Sequence, residues 1–220
     1  VYTAAGNNEI SNLGNEAITL DDTTLAIATL NTLNGNTSGV INANTVTTLT
    51  GAAATMNTVY TAAGNGEITN LGNEAITLDD TTLAIATLNT LNGNTTGAIN
   101  AGTITTLTGA TATINSIYAA GNSEVSGLGN EAITIDDTSL AIAALNTLNG
   151  NTTGVINANT VTTLTGAAAT MNTVYTAAGN NEISNLGNEA ITLNDTSLAI
   201  ATLNTLNGNT TGVINANTVT

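Results

Sequence analysis

The residues able to do chemistry are carboxylates, and they recur in register along the chain. Glu9, Glu16, Asp21 and Asp22 are followed by Glu67, Glu74, Asp79 and Asp80, then by Glu124, Glu131, Asp136 and Asp137. The last set is Glu182, Glu189 and Asp195, with Asn194 where an Asp is expected. The chain holds 15 Asp plus Glu and no Lys, Arg or His, so no side chain of its own can neutralise them. Hard cations such as calcium prefer clustered oxygens, Asn and backbone carbonyls included. Candidate calcium ligands are therefore Asp21, Asp22, Asp79, Asp80, Asp136, Asp137 and Asp195, with Glu9 and Glu16 as a second group. The competing reading makes these acids solvated surface groups and helix caps, and Asn194 favours it for the first Asp of each pair. Neither the EF-hand loop nor the glycine-rich calcium nonapeptide is present.

Catalysis is not expected. Adjacent Asp pairs repeated along an array do not form one cleft with two different carboxyl environments. There is no His base, no Cys nucleophile and no cationic clamp. A net charge of −15 repels nucleic-acid phosphates and anionic membrane surfaces alike. Apolar runs such as Leu25-Ala26-Ile27-Ala28 fall far below the ~20 residues of a membrane helix. Without Cys there are no disulfides, and without Lys or Arg no trypsin-type cleavage points.

The elements that carry these acids form a tandem repeat. Val1-Tyr2-Thr3-Ala4-Ala5-Gly6 returns at Val59, at Ile117 and at Val174, spacings of 58, 58 and 57 residues. This divides the chain into 1–58, 59–116, 117–173 and an incomplete 174–220, read as a window of one continuous, longer array. Each 58-mer splits into two unequal halves. A helix over Asp22–Asn34 is expected, capped by Asp21, Asp22 and Thr23 and stopped at Asn34-Gly35. Its apolar face is Ala26, Ile27, Leu30 and Leu33. A second helix is expected over Gly51–Ala63, with Thr50 as cap and Ala52, Met56, Val59, Tyr60 and Ala63 facing inward.

Short strands are expected at Val40-Ile41, Val46–Leu49, Ile10–Leu13 and Ala17–Leu20. The fold class is therefore an α/β solenoid of about 29-residue coils, each with short parallel strands and one helix, two coils per repeat. Identical coils should align each residue with its counterpart at ~4.8 Å, with Asn ladders at the corners. Helices need about 8–10 Å between axes, so twist or curvature must absorb the mismatch.

Three further patterns bear on surface chemistry. Thr45-x-Thr47 recurs at Thr103, Thr160 and Thr218 as a candidate water-ordering ladder, against simple strand propensity. Asn36-Thr37-Ser38 matches the N-glycosylation sequon, as do Asn94, Asn151 and Asn209. Tyr2, Tyr60, Tyr118 and Tyr175 occur once per repeat and read as packing residues.

The phrase from Leu13-Gly14-Asn15-Glu16-Ala17 through Asp21-Asp22-Thr23 and Leu33-Asn34-Gly35 to Val46-Thr47-Thr48-Leu49-Thr50-Gly51 resembles repeats of giant secreted proteins of cyanobacteria. Those proteins keep company with type I-secreted, calcium-binding proteins. The resemblance implies an extracellular or cell-surface place and a fibre, surface-layer, adhesion or motility context. The expected function is a structural module forming a rigid, extended, acidic rod. Its partners would be neighbouring repeats and other copies in a filament. The alternative is a repetitive binding surface for glycan, ice or another cell, with calcium as the candidate ion.

Overall fold

The computed structural model describes residues 11–220; Tyr2 and Glu9 lie outside them. Among the described residues seven helices alternate with short parallel strands. The helices are α1 Ile27–Asn36, α2 Ala53–Gly64, α3 Ile85–Asn94, α4 Thr111–Ala120, α5 Ile142–Asn151, α6 Ala168–Gly179 and α7 Ile200–Asn209. Helices α1, α3, α5 and α7 open on Ile, and their coils are called isoleucine coils below. Helices α2, α4 and α6 carry Tyr60, Tyr118 and Tyr175, and theirs are tyrosine coils.

Among the described residues the strands form four all-parallel sheets. The first joins β1 (Ile18–Thr19), β3 (Ile41–Asn42) and β5 (Ile68–Thr69). The second joins β2 (Thr24–Ala26), β4 (Thr48–Gly51), β6 (Ala75–Leu78), β8 (Ile99–Asn100) and β10 (Val125–Ser126). The third joins β7 (Thr82–Ala84), β9 (Thr106–Gly109), β11 (Ala132–Ile135), β13 (Ile156–Asn157) and β15 (Ile183–Ser184). The fourth joins β12 (Ser139–Ala141), β14 (Thr163–Gly166), β16 (Ala190–Leu193) and β17 (Ile214–Asn215). Helix and strand alternate as in an α/β solenoid, with a helix about every 29 residues on average.

Contacts divide the chain into two units. Among the described residues, one comprises 11–80, 87–103 and 121–127; the other comprises 81–86, 104–120 and 128–220. The first unit contains the first two sheets, and the second contains the other two.

Strand registry departs from counterpart-on-counterpart stacking. Leu25 pairs with Leu49, which pairs with Ile76. That is 51 residues for two coils, against a sequence period of 58, so the ladder lags by 7 residues per repeat. From Ile76 it continues to Ile99 and then Val125. Strands want ~4.8 Å between neighbours and helices about 8–10 Å. One column cannot serve both spacings. Here the ladder slides backward along the coil, from the strand before a helix to the strand after one, and gives way after at most five strands.

The core is thin and aliphatic, as Ala, Leu, Ile and Val dictate. Ile27, Leu30, Ile41, Leu49, Met56 and Ile76 are buried in the first unit, and Leu107, Ile114, Leu145, Ile156 and Leu164 in the second. The helices begin and end later than their sequence signals. Helix α1 starts at Ile27 because Thr24–Ala26 pair as strand β2, and its cap Ala26 has no side chain able to bond. It runs through Gly35 to Asn36, closing on an extended Thr37 with φ −132. Thr37 Oγ1 donates to the Glu16 carbonyl at 2.8 Å and accepts from Gly39 N at 3.0 Å, which fixes the exit. Helix α2 starts at Ala53, and its N-cap position is Ala52, not Thr50.

Candidate functional site

The recurrent acids fall into three structural roles, each set by the element that carries it. Asp80, Asp137 and Asp195, each the second residue of its pair, cap a helix, but not the helix that follows them. Asp80 Oδ2 accepts from Ala53 N at 2.8 Å, the first residue of α2 in the preceding coil. Asp195 Oδ2 accepts from Ala168 N at 2.8 Å in the same way. Asp137 Oδ2 accepts from both Thr111 N at 2.8 Å and Thr111 Oγ1 at 2.7 Å. A carboxylate here satisfies an otherwise unbonded amide and faces the positive end of the helix dipole. The cap is thus delivered from 26 or 27 residues away along the chain, which a sequence pattern cannot distinguish from a local cap.

The first residue of each pair points outward. Asp79, Asp136 and Asn194 are exposed and bond through their backbone, donating N–H to the carbonyls of Gly51, Gly109 and Gly166 at 3.4, 3.3 and 3.2 Å. That contact needs no carboxylate, which explains why Asn194 is accepted. Asp21 and Asp22 are exposed. No group of three or more acidic side chains positioned to hold a metal occurs among the described residues.

The most unusual groups are Glu74, Glu131 and Glu189, with 0%, 0% and 1% of their surface exposed. Burying a carboxylate is costly unless its oxygens are hydrogen-bonded. Each is served by the helix of the tyrosine coil and by its own loop. Tyr60 donates its hydroxyl to Glu74 Oε2 at 3.0 Å, Tyr118 to Glu131 at 2.7 Å and Tyr175 to Glu189 at 3.0 Å. Gly72 N donates to Glu74 Oε2 at 2.9 Å, and Gly129 N and Gly187 N repeat the bond at 2.9 Å. These glycines sit at φ +131, +128 and +135, which an L side chain rarely adopts. Gly14 N donates to Glu16 Oε2 at 2.8 Å in the first copy.

Burial raises the ionisation of Tyr60, Tyr118 and Tyr175 well above the phenol's usual range, and the adjacent glutamate pushes the same way. The hydroxyls of Thr95, Thr152 and Thr210 oppose the shift.

The sequon residues clasp this same loop. Thr95 is buried and donates to the Glu74 carbonyl at 3.3 Å, while Thr96 Oγ1 donates to the Gly72 carbonyl at 3.3 Å. Gly97 packs so closely on the Glu74 carbonyl that a Cβ there would overlap it. Asn94 Nδ2 donates to Asn57 Oδ1 at 3.0 Å, and Asn57 Nδ2 donates to the Thr87 carbonyl at 3.0 Å. The Asn-Thr-Thr-Gly phrase is thus a structural clasp. Asn36, Asn94 and Asn209 are exposed, and Asn151 is half-buried.

The third group of acids, Glu67, Glu124 and Glu182, is exposed and accepts from Asn34, Asn92 and Asn149 at 2.8, 3.3 and 2.8 Å. The Thr45-x-Thr47 pattern does not present a ladder of free hydroxyls. Thr45 Oγ1 donates to the Leu20 carbonyl at 2.8 Å, and Thr47 Oγ1 to the Thr23 carbonyl at 3.1 Å. Asn side chains do pair across coils, Asn70 to Asn42 at 2.8 Å and Asn185 to Asn157 at 2.7 Å.

No family profile, curated protein or solved structure matches the chain. The Tyr–Glu pair was the feature hardest to see in the sequence. Its signal was there: one Tyr and one Leu-Gly-Asn-Glu phrase per repeat, always 13 or 14 residues apart.

Proposed function

We propose that the chain is a structural repeat module of an extracellular fibre or cell-surface filament, in which coils support one another and length follows copy number. The observation that carries this is where the reactive groups are spent. Asp80, Asp137 and Asp195 cap the helices of neighbouring coils, and Glu74, Glu131 and Glu189 are buried against the tyrosines of neighbouring coils. Groups consumed in nearest-neighbour contacts are what a solenoid stabilised by its interfaces requires.

Electron microscopy of the native material, with antibody raised against this chain, tests the proposal. Labelled filaments on the cell exterior, lengthening in proportion to added repeats, are expected. Label confined to the cell interior, or particles whose size ignores copy number, would refute it. A second reading, a repetitive binding surface, draws on the exposed Asp79, Asp136, Asp21 and Asp22. Saturable calcium uptake that is needed for retention on a glycan matrix would favour it.

A further inference from the structure

The two coil types meet through different chemistry in their two orders. Where a tyrosine coil follows an isoleucine coil, a glycine strand-end covers the isoleucine that opens the helix. Gly51 lies over Ile27, Gly109 over Ile85 and Gly166 over Ile142. A Cβ at these glycines would stand 2.8, 2.7 and 2.6 Å from the isoleucine Cγ2. Their φ values of +129, +133 and +141 exclude most side chains independently. The isoleucines beneath are 1%, 2% and 1% exposed.

Where an isoleucine coil follows a tyrosine coil, it brings Asp80, Asp137 or Asp195 to the helix N-terminus. It also brings Glu74, Glu131 or Glu189 to the tyrosine hydroxyl.

The strand register shows what the wrong neighbour would do. Gly51 aligns with Leu78, Gly109 with Ile135 and Gly166 with Leu193. An isoleucine coil stacked on another isoleucine coil would therefore press a Leu or Ile into the space that glycine leaves. Continuing the same register, Asp80 aligns with Ala53. A tyrosine coil stacked on its own kind would offer Ala53, Thr111 or Ala168, none of them a carboxylate, where the helix amide takes one.

We infer that the two coil types are mutually selective docking surfaces. The isoleucine face accepts only a coil ending its strand in glycine, and the tyrosine face accepts only a coil bringing the Asp and the buried Glu. This goes beyond the proposed function, since it concerns order within the array whatever the array does.

Two deletions test it. Removing residues 43–69 joins Asn42 to Asn70 in strand register, because Ile41 pairs with Ile68 and Asn42 with Thr69. That cut removes one tyrosine coil and sets isoleucine coil on isoleucine coil. Removing residues 59–116 takes out a whole repeat and keeps the alternation. The smaller deletion is expected to lower Tm further than the larger one, by about 10 °C from overpacking and lost caps. A smaller deletion as stable as the larger one, or more so, overturns the inference.

Should neither shortened chain fold, a double-mutant cycle in the intact chain decides. Gly109→Ala is expected to lower Tm sharply, and Ile85→Ala to recover part of that loss by opening the contact. Strictly additive losses would overturn the selective fit, since backbone strain at Gly109 alone gives no coupling.

Discussion

Removing the hydroxyl of Tyr60 tests the central buried contact. Tyr60 is 7% exposed and Glu74 is 0% exposed, and their bond is 3.0 Å. In Tyr60→Phe the buried ring is kept, so packing loss is small. What changes is Glu74, left with Gly72 N as its donor from the loop. A hydrogen bond to a charged group is worth about 1.5–3 kcal/mol net, and stranding a buried charge raises the loss. A cost of about 2–4 kcal/mol follows, which for a domain of this size lowers Tm by about 4–16 °C.

The companion variant Glu74→Gln removes the charge and keeps an acceptor for Gly72. Thermal unfolding followed by far-ultraviolet circular dichroism on both single variants and the double variant gives the coupling energy. The reasoning requires coupling above about 1 kcal/mol between the two sites. Additivity within about 0.5 kcal/mol would show that the buried glutamate is held by something other than the phenol.

The phenols make a pH prediction of definite sign. Burial holds Tyr60, Tyr118 and Tyr175 above the unfolded value of 10.0, so their contribution is complete below that pH and is lost as pH rises through the folded value. Alkaline titration at 295 nm should show these tyrosines ionising late and together with unfolding; titration near 10 with the fold intact would contradict the burial argument. The two aspartates of a pair should differ: Asp137→Ala costs about 1–2 kcal/mol as a lost helix cap, while Asp136→Ala stays within about 0.5 kcal/mol, measured by urea unfolding. Gly97→Ala should disrupt the clasp over Glu74, whereas Gly93→Ala, in open space on α3, should leave stability unchanged or raise it by about 0.5–1 kcal/mol.

The sequence by itself determined the repeat, the class of fold and part of the inward-facing set; Ala26 is exposed in β2, and Ala53 and Ala62 are buried where Ala52 and Ala63 were expected. Leu30, Met56, Val59 and Tyr60 are buried where helical periodicity put them, because that periodicity is local and near-identical copies repeat it. The acids were legible as recurrent, and their chemistry as that of groups without internal cations. Their partners were not legible. Asp22 beside Thr23 reads as a cap for the helix that follows, yet Asp80, its equivalent one repeat later, reaches back to Ala53. Glu74 reads as a surface charge, yet the loop Gly72-Asn73-Glu74 turns it inward to Tyr60. Both outcomes depend on which coil lies above which, and on a strand register that advances 51 residues where the sequence advances 58. That lag comes from the unequal widths of strands and helices, a property of stacked coils that exists only once they are stacked.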